Sequence, residues 1–192
     1  MINRKTLFVL TLSLLLTGTS LFSARAVHAA DESASSSSAP AADTTSNDLS
    51  ENNDSQLATE VNPLPDYLRQ IQKIDSYEDK AVKTYNSYRY VTSSNRKKAY
   101  AAMSNIVVPN YTQFVIGLKQ IKPEDPQLAK IHGKYIKATS LQLQALTLFQ
   151  KYVSTPQLNA ATLKQANLKV DAGINMLKEY RNDIDQYEEQ FK

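Results

Sequence analysis

The 192-residue chain has no cysteine, no tryptophan and only four glycines. Without cysteine there is no disulfide framework, no thiolate nucleophile and no thiolate metal site. Sequence patterns of established chemistry are also missing: there is no His-Glu-x-x-His, no Walker loop, no Gly-x-Ser-x-Gly and no Gly-x-Gly-x-x-Gly. Repeated Glu-x-x-His pairs, which hold carboxylate-bridged metals inside helical bundles, are absent too. Beyond residue 30 the sole histidine is His132, set between Lys130 and Lys134, whose charges oppose both its protonation and its binding of a metal cation. The adjacent acids Glu78 with Asp79, Glu124 with Asp125, and Glu188 with Glu189 fit helix surfaces or helix starts and require no chemistry to explain them. These absences point to a non-catalytic protein with no cofactor and no metal.

Charge is present but unevenly distributed. The 22 Lys and Arg against 19 Asp and Glu give a formal charge of +3. Residues 1–30 carry Arg4, Lys5 and Arg25 with no acid, whereas residues 31–60 carry seven acids and no base. Residues 61–192 are left with 22 − 3 = 19 bases and 19 − 7 = 12 acids, a balance of +7. A near-neutral total therefore conceals three segments of different character.

The first segment, residues 1–29, reads as a secretory signal peptide. Arg4 and Lys5 form a positive start, and Leu7 to Phe22 is an uncharged run of apolar and small residues. At about 16 residues it is shorter than the ~20 needed by a spanning helix, which favours cleavage over permanent anchoring. Small residues at Val27 and Ala29 favour cleavage after Ala29, with Ala24 and Ala26 offering a second site after Ala26. Within this run Leu16-Thr17-Gly18-Thr19 resembles the lipobox of bacterial lipoprotein signals. Thr19 stands where the lipidated cysteine would be, and a hydroxyl does not replace that thiol, so the expectation is an exported protein that is not lipidated. No later stretch approaches ~18 uninterrupted apolar residues, so nothing after the signal would span a bilayer.

Residues 30–62 form a Ser/Ala/Asp/Asn-rich acidic linker with Leu49, Leu57 and Val61 as its only large aliphatic residues. Such a composition buries too little apolar area to offset an ordering entropy of roughly 1–2 kcal/mol per residue, so it is expected to be disordered.

Residues 63–192 show a helical period throughout. Pro65 suits the first position of a helix with Asp66 in its first turn, and Leu68, Ile71, Ile74, Tyr77, Ala81, Tyr85 and Tyr88 recur at three- and four-residue steps, predicting a helix over about 65–91. Thr92-Ser93-Ser94-Asn95 interrupts the pattern and supplies capping oxygens. Tyr100, Met103, Val107, Tyr111, Phe114, Leu118 and Ile121 keep their phase across Pro109, predicting one kinked helix over about 96–121. Lys122-Pro123-Glu124-Asp125-Pro126 is the next turn, followed by a third helix over about 125–153. Thr155 and Pro156 suit the N-cap and first position of a fourth helix reaching nearly to Lys192. Four such helices joined by short turns predict an all-α fold, an elongated antiparallel up-down-up-down four-helix bundle with coiled-coil-like seams.

All 11 tyrosines fall between Tyr67 and Tyr187, mostly on the apolar stripes, as expected of an aromatic core in which each ring is buried and its hydroxyl reaches a polar rim. His132 is expected to be a helix-face residue packed beside a gap at Gly133. Lys130, Lys134 and Lys137 share one face of the third helix, and Arg96, Lys97 and Lys98 cluster at a helix start, together making a candidate surface for an anionic partner. The expected function is a binding or scaffolding module at the bacterial cell envelope, secreted or envelope-associated, whose partner is a protein or an anionic envelope polymer. Nucleic acid is not expected as a partner after export, whereas peripheral membrane contact is compatible with the basic surface. The competing expectation is a membrane-active or self-assembling amphipathic helical protein.

Overall fold

The structure, a computed structural model, describes residues 62–192. The expected signal peptide and nearly all of the acidic linker lie outside the described residues. Those described are all-helical, with no strand among them. In chain order the elements are α1 (Leu64–Gln72), α2 (Asp75–Tyr88), α3 (Arg96–Ala102), a single π-helical stretch (Met103–Val107), α4 (Val108–Gln120), α5 (Pro126–Ser154) and α6 (Ala160–Glu189). No helix among the described residues is long and apolar enough to cross a membrane.

The first expected helix is broken in two. At Lys73–Ile74 the bonds tighten to a three-residue step, Ile74 N donating to Ile71 O at 2.9 Å and Tyr77 N to Ile74 O at 3.1 Å. A three-residue turn advances the helix faster than an α-turn, so the residues beyond it change face. Tyr77, placed on the apolar stripe by its spacing, is exposed, and Glu78, read as a surface acid, is buried. Ile74 itself seats against α4, where a Cβ added to Gly117 would stand 2.9 Å from its Cγ2. The break and the missing side chain at Gly117 thus fit one another.

The helical run across Pro109 is continuous, as its phase predicted. Pro109 has no N–H to offer the preceding turn, and the chain meets that loss with the π-helical stretch just before it, where Val108 N donates to Met103 O across five residues. Asn110 Nδ2 donates to Ile106 O at 2.7 Å and Thr112 Oγ1 to Val108 O at 2.8 Å, so side chains occupy carbonyls around the proline.

Helix α5 begins after Asp125, whose side chain accepts from Leu128 N at 2.6 Å. The start of α6 differs from expectation. Thr155 Oγ1 donates to Gln157 O, and the cap is Asn159, whose Oδ1 accepts from Ala161 N at 2.9 Å and Thr162 N at 3.2 Å. Once its hydroxyl is committed within the turn, Thr155 no longer caps, and Pro156 lies outside the helix.

Helix α5 packs along α6, while α2 lies against α4, the π-helical stretch and α3, and α4 lies against α5. Buried positions on α6 are Ala166, Val170, Gly173, Leu177, Tyr180, Ile184 and Tyr187, spaced four and three in alternation. That seven-residue repeat keeps one seam facing α5 along the whole helix. At Gly173 the two helices approach closely: an added Cβ would lie 3.0 Å from Gln142 Cγ and 3.2 Å from the Ala138 carbonyl oxygen. Leu168 falls between seam positions and is 60% exposed.

Candidate functional site

The structure divides the six basic residues singled out from the sequence. Lys130 and Lys137 are exposed on α5, and Lys97 and Lys98 are exposed at the start of α3. Lys134, on the same face as Lys130, turns to α6, its Nζ 2.6 Å from Asp183 and 3.9 Å from Glu179. The hydrogen bond that Lys134 donates to Asp183 and the charge of both acids raise the Lys134 pKa, so it stays cationic as an interhelical tie. Arg96 donates to Val153 O at 2.9 Å and Ser154 O at 3.2 Å, meeting the unpaired carbonyls at the end of α5. Four cations therefore face outward, and two are engaged in holding helices together.

Sequence reasoning missed a polar axis inside the helices. His132 is 3% exposed, whereas Gly133 beside it is exposed with nothing within 4 Å of an added Cβ, so the glycine borders open space and not the packing gap expected there. Its Nε2 lies 2.9 Å from the Leu118 carbonyl, an acceptor only, so this nitrogen carries the hydrogen. Nδ1 then accepts from Tyr67 Oη at 3.0 Å, and Tyr67 Oη in turn receives from Tyr180 Oη at 3.3 Å. One hydrogen-bonded row thus joins α6, α1, α5 and the end of α4. Burial is the leading cause lowering the His132 pKa, which keeps the imidazole neutral and this polarity of bonds intact.

The row continues as ring contacts. Tyr135 stacks on Tyr180 with centroids 4.5 Å apart and planes 8° apart, Phe114 meets Tyr135 edge-on at 6.2 Å, and Tyr111 meets Phe114 at 5.7 Å. Tyr111 Oη donates to Gln142 Oε1, and Gln142 Nε2 has no partner among the described residues. Burial raises the ionisation cost of the Tyr67, Tyr111, Tyr135 and Tyr180 phenols, which remain protonated over the physiological range.

Glu78 of α2 is the acid set into this interior, at 6% exposure. Burial first, then the charges of Asp75 and Asp79 on the same helix, push its carboxyl up to about 8, against a smaller opposing pull from Arg181 of α6. Asp75 is itself pushed up to about 6 by partial burial and by Asp79. Among the described residues no group of three or more His, Cys, Asp or Glu is arranged to hold a metal ion. The turn between α5 and α6 carries an open depression lined by Lys151, Thr155, Pro156, Gln157, Asn159 and Thr162, without a paired acid and base.

The tyrosine stripe was the one visible signal of this axis. What the periodicity could not show was which hydroxyls meet, because Tyr67, His132 and Tyr180 lie far apart in sequence. Compared with family models, curated proteins and solved structures, the chain matches none.

Proposed function

We propose that residues 63–192 form an antiparallel up-down-up-down four-helix bundle that serves as a non-catalytic binding or scaffolding module of an exported, envelope-associated protein. In the bundle reading, α1 with α2 is one broken arm and α3 through α4 is a second. Two sets of contacts support it. Tyr67 near the start of the first arm, Leu118 at the end of the second, His132 near the start of α5 and Tyr180 toward the end of α6 meet at one level. At another level the start of α3 meets the end of α5 through Arg96, and Tyr85 late in α2 meets Phe149 late in α5 with centroids 5.6 Å apart.

The observation that carries the functional reading is the contrast between interior and surface. His132, Tyr67 and Tyr180 satisfy one another inside, whereas Lys97, Lys98, Lys130 and Lys137 stay exposed on a segment whose balance is +7. Long-range attraction to a polyanion, screened over about 8 Å at physiological salt, is the interaction such a surface supports.

The test is retention of the full chain on isolated anionic envelope polymer across ionic strengths from about 0.05 to 0.5 M. Paired substitutions Lys130→Glu with Lys137→Glu, and Lys97→Glu with Lys98→Glu, are compared with the parent; Lys134 and Arg96 are left intact because they tie helices together. Retention is expected to fall steeply with salt and to weaken in both variants. Retention indifferent to salt and to charge reversal overturns the proposal, and dye release from anionic vesicles by the parent chain replaces it with the membrane-active reading.

A further inference from the structure

Helix α2 combines three features found together nowhere else among the described residues. It is bounded by the break at residues 73–74 on one side and the non-helical stretch 89–95 on the other, so it is a separate helical unit. Its buried set is small: Ala81, Val82, Tyr85 and the acid Glu78, and the Tyr85 hydroxyl has no partner among the described residues. Finally, Glu78 is buried on a helix that packs against α4, the helix of Tyr111, and its charge is felt at Tyr111 and at Tyr135 on α5 as that of Asp75 is at Tyr180 on α6.

We propose that α2 is a pH-gated cover over the tyrosine layer, held down while the Glu78 carboxyl is protonated and released when that carboxyl loses its proton. A neutral carboxyl is tolerated beside phenols and can donate a hydrogen bond, whereas the carboxylate must be solvated or paired. The groups facing it are Asp75 and Asp79 of its own helix, Tyr111 of α4, Tyr135 of α5 and Arg181 of α6. Of these, the two aspartates oppose the charge, the phenols stay neutral, and Arg181 alone favours it without overcoming burial. Tyr85, edge-on to Phe149 of α5 with centroids 5.6 Å apart, is the main apolar contact that resists the release, and Ala81 and Val82 add little to it.

The sign follows from linkage. The folded pKa of Glu78 is raised from 4.5 to about 8. Closure is therefore favoured fully below pH 4.5, weakens as pH rises from there, and stops weakening above about 8. His132 acts oppositely, since its lowered pKa weakens the α1–α5 contact as pH falls below its ordinary value of 6.5. The two effects are separable by region.

Hydrogen exchange of the full chain, corrected for the intrinsic pH dependence of exchange, provides the test. Protection of the α2 amides is expected to fall at least tenfold between about pH 5.5 and 7.5 and to level off above about 8, while the middle of α5 holds its protection. In Glu78→Gln the α2 profile is expected to lose its fall above about pH 6, keeping only the smaller change below it that the raised carboxyl of Asp75 contributes. In Asp79→Asn, which removes one repelling charge, the levelling is expected to move to lower pH; this variant carries the test should the glutamine variant fold poorly. A flat α2 profile in the parent chain, or an unchanged slope in Glu78→Gln, overturns the proposal, and so does an Asp79→Asn profile that does not shift.

Discussion

Helices α5 and α6 run for 29 and 30 residues without interruption, whereas α1 and α2 cover 9 and 14 residues on either side of a break. The long pair starts from side-chain caps, Asp125 on α5 and Asn159 on α6, whereas Pro63 before α1 and Ile74 before α2 make no cap bond, and α1 has only the Asn62 side chain accepting from Leu64 N at 2.9 Å. Burial differs in kind as well. The α6 seam is a seven-residue repeat of Ala166, Val170, Gly173, Leu177, Tyr180, Ile184 and Tyr187, while α2 buries an acid beside two small aliphatic residues and one tyrosine. The lesson is that one region provides the frame and the other provides responsiveness. Capped, continuous helices closed by a long shared seam resist local opening, and a short helix without a side-chain cap that carries a buried carboxyl does not.

The sharpest way to break that contrast is to damage the frame. Tyr135 lies where α5, α6 and α4 meet, stacked on Tyr180 and edge-on to Phe114. Tyr135→Ala is expected to cost about 3–5 kcal/mol, by analogy with other large aromatic truncations, and to lower the unfolding midpoint of all the described helices together in denaturant titration. Loss confined to α1 and α2 would mean that the frame does not depend on this ring.

A smaller effect is expected from the opposite side of the comparison. Gly117→Val places methyl groups where Ile74 sits, 2.9 Å from the position of an added Cβ. Overpacking there is expected to cost about 1–3 kcal/mol and to appear in hydrogen exchange as faster opening of α1 and α2 with α5 and α6 unchanged. Equal opening of both regions would show that the break at Lys73–Ile74 is not the place where they are uncoupled.

The smallest difference sharpens the account of the frame itself. Asn159→Ala removes the acceptor for Ala161 N and Thr162 N and is expected to cost about 1 kcal/mol, measured by thermal or denaturant unfolding. Thr155→Ala, at the residue whose spacing suggested a cap, is expected to stay within about 0.5 kcal/mol of the parent. Reversed magnitudes would restore Thr155 as the start of α6.

Much of the helical organisation was legible because its causes are local. The breakers at Thr92–Asn95 and Lys122–Pro126 separate helices as expected, and the phase kept across Pro109 corresponds to a continuous helical run. The break at Lys73–Ile74 left no such mark, since no glycine or proline lies there and the apolar spacing continues through it. Tyr77 and Leu168 illustrate a related limit. Both satisfy a three-or-four spacing, yet both are exposed, because more residues fit a loose helical period than one seam accommodates.

What the sequence by itself determined is the all-helical character of the described region, most of its turns and its wealth of buried aromatic rings, for periodicity and turn chemistry act between near neighbours. Tertiary structure alone decided that Glu78 lies inside, that Lys134 pairs with Asp183 while Lys130 stays exposed, and that His132 links Tyr67 to Leu118. The physical reason is the same in each case. Whether a polar side chain is solvated, paired or buried depends on the group opposite it, and that group comes from a distant part of the chain.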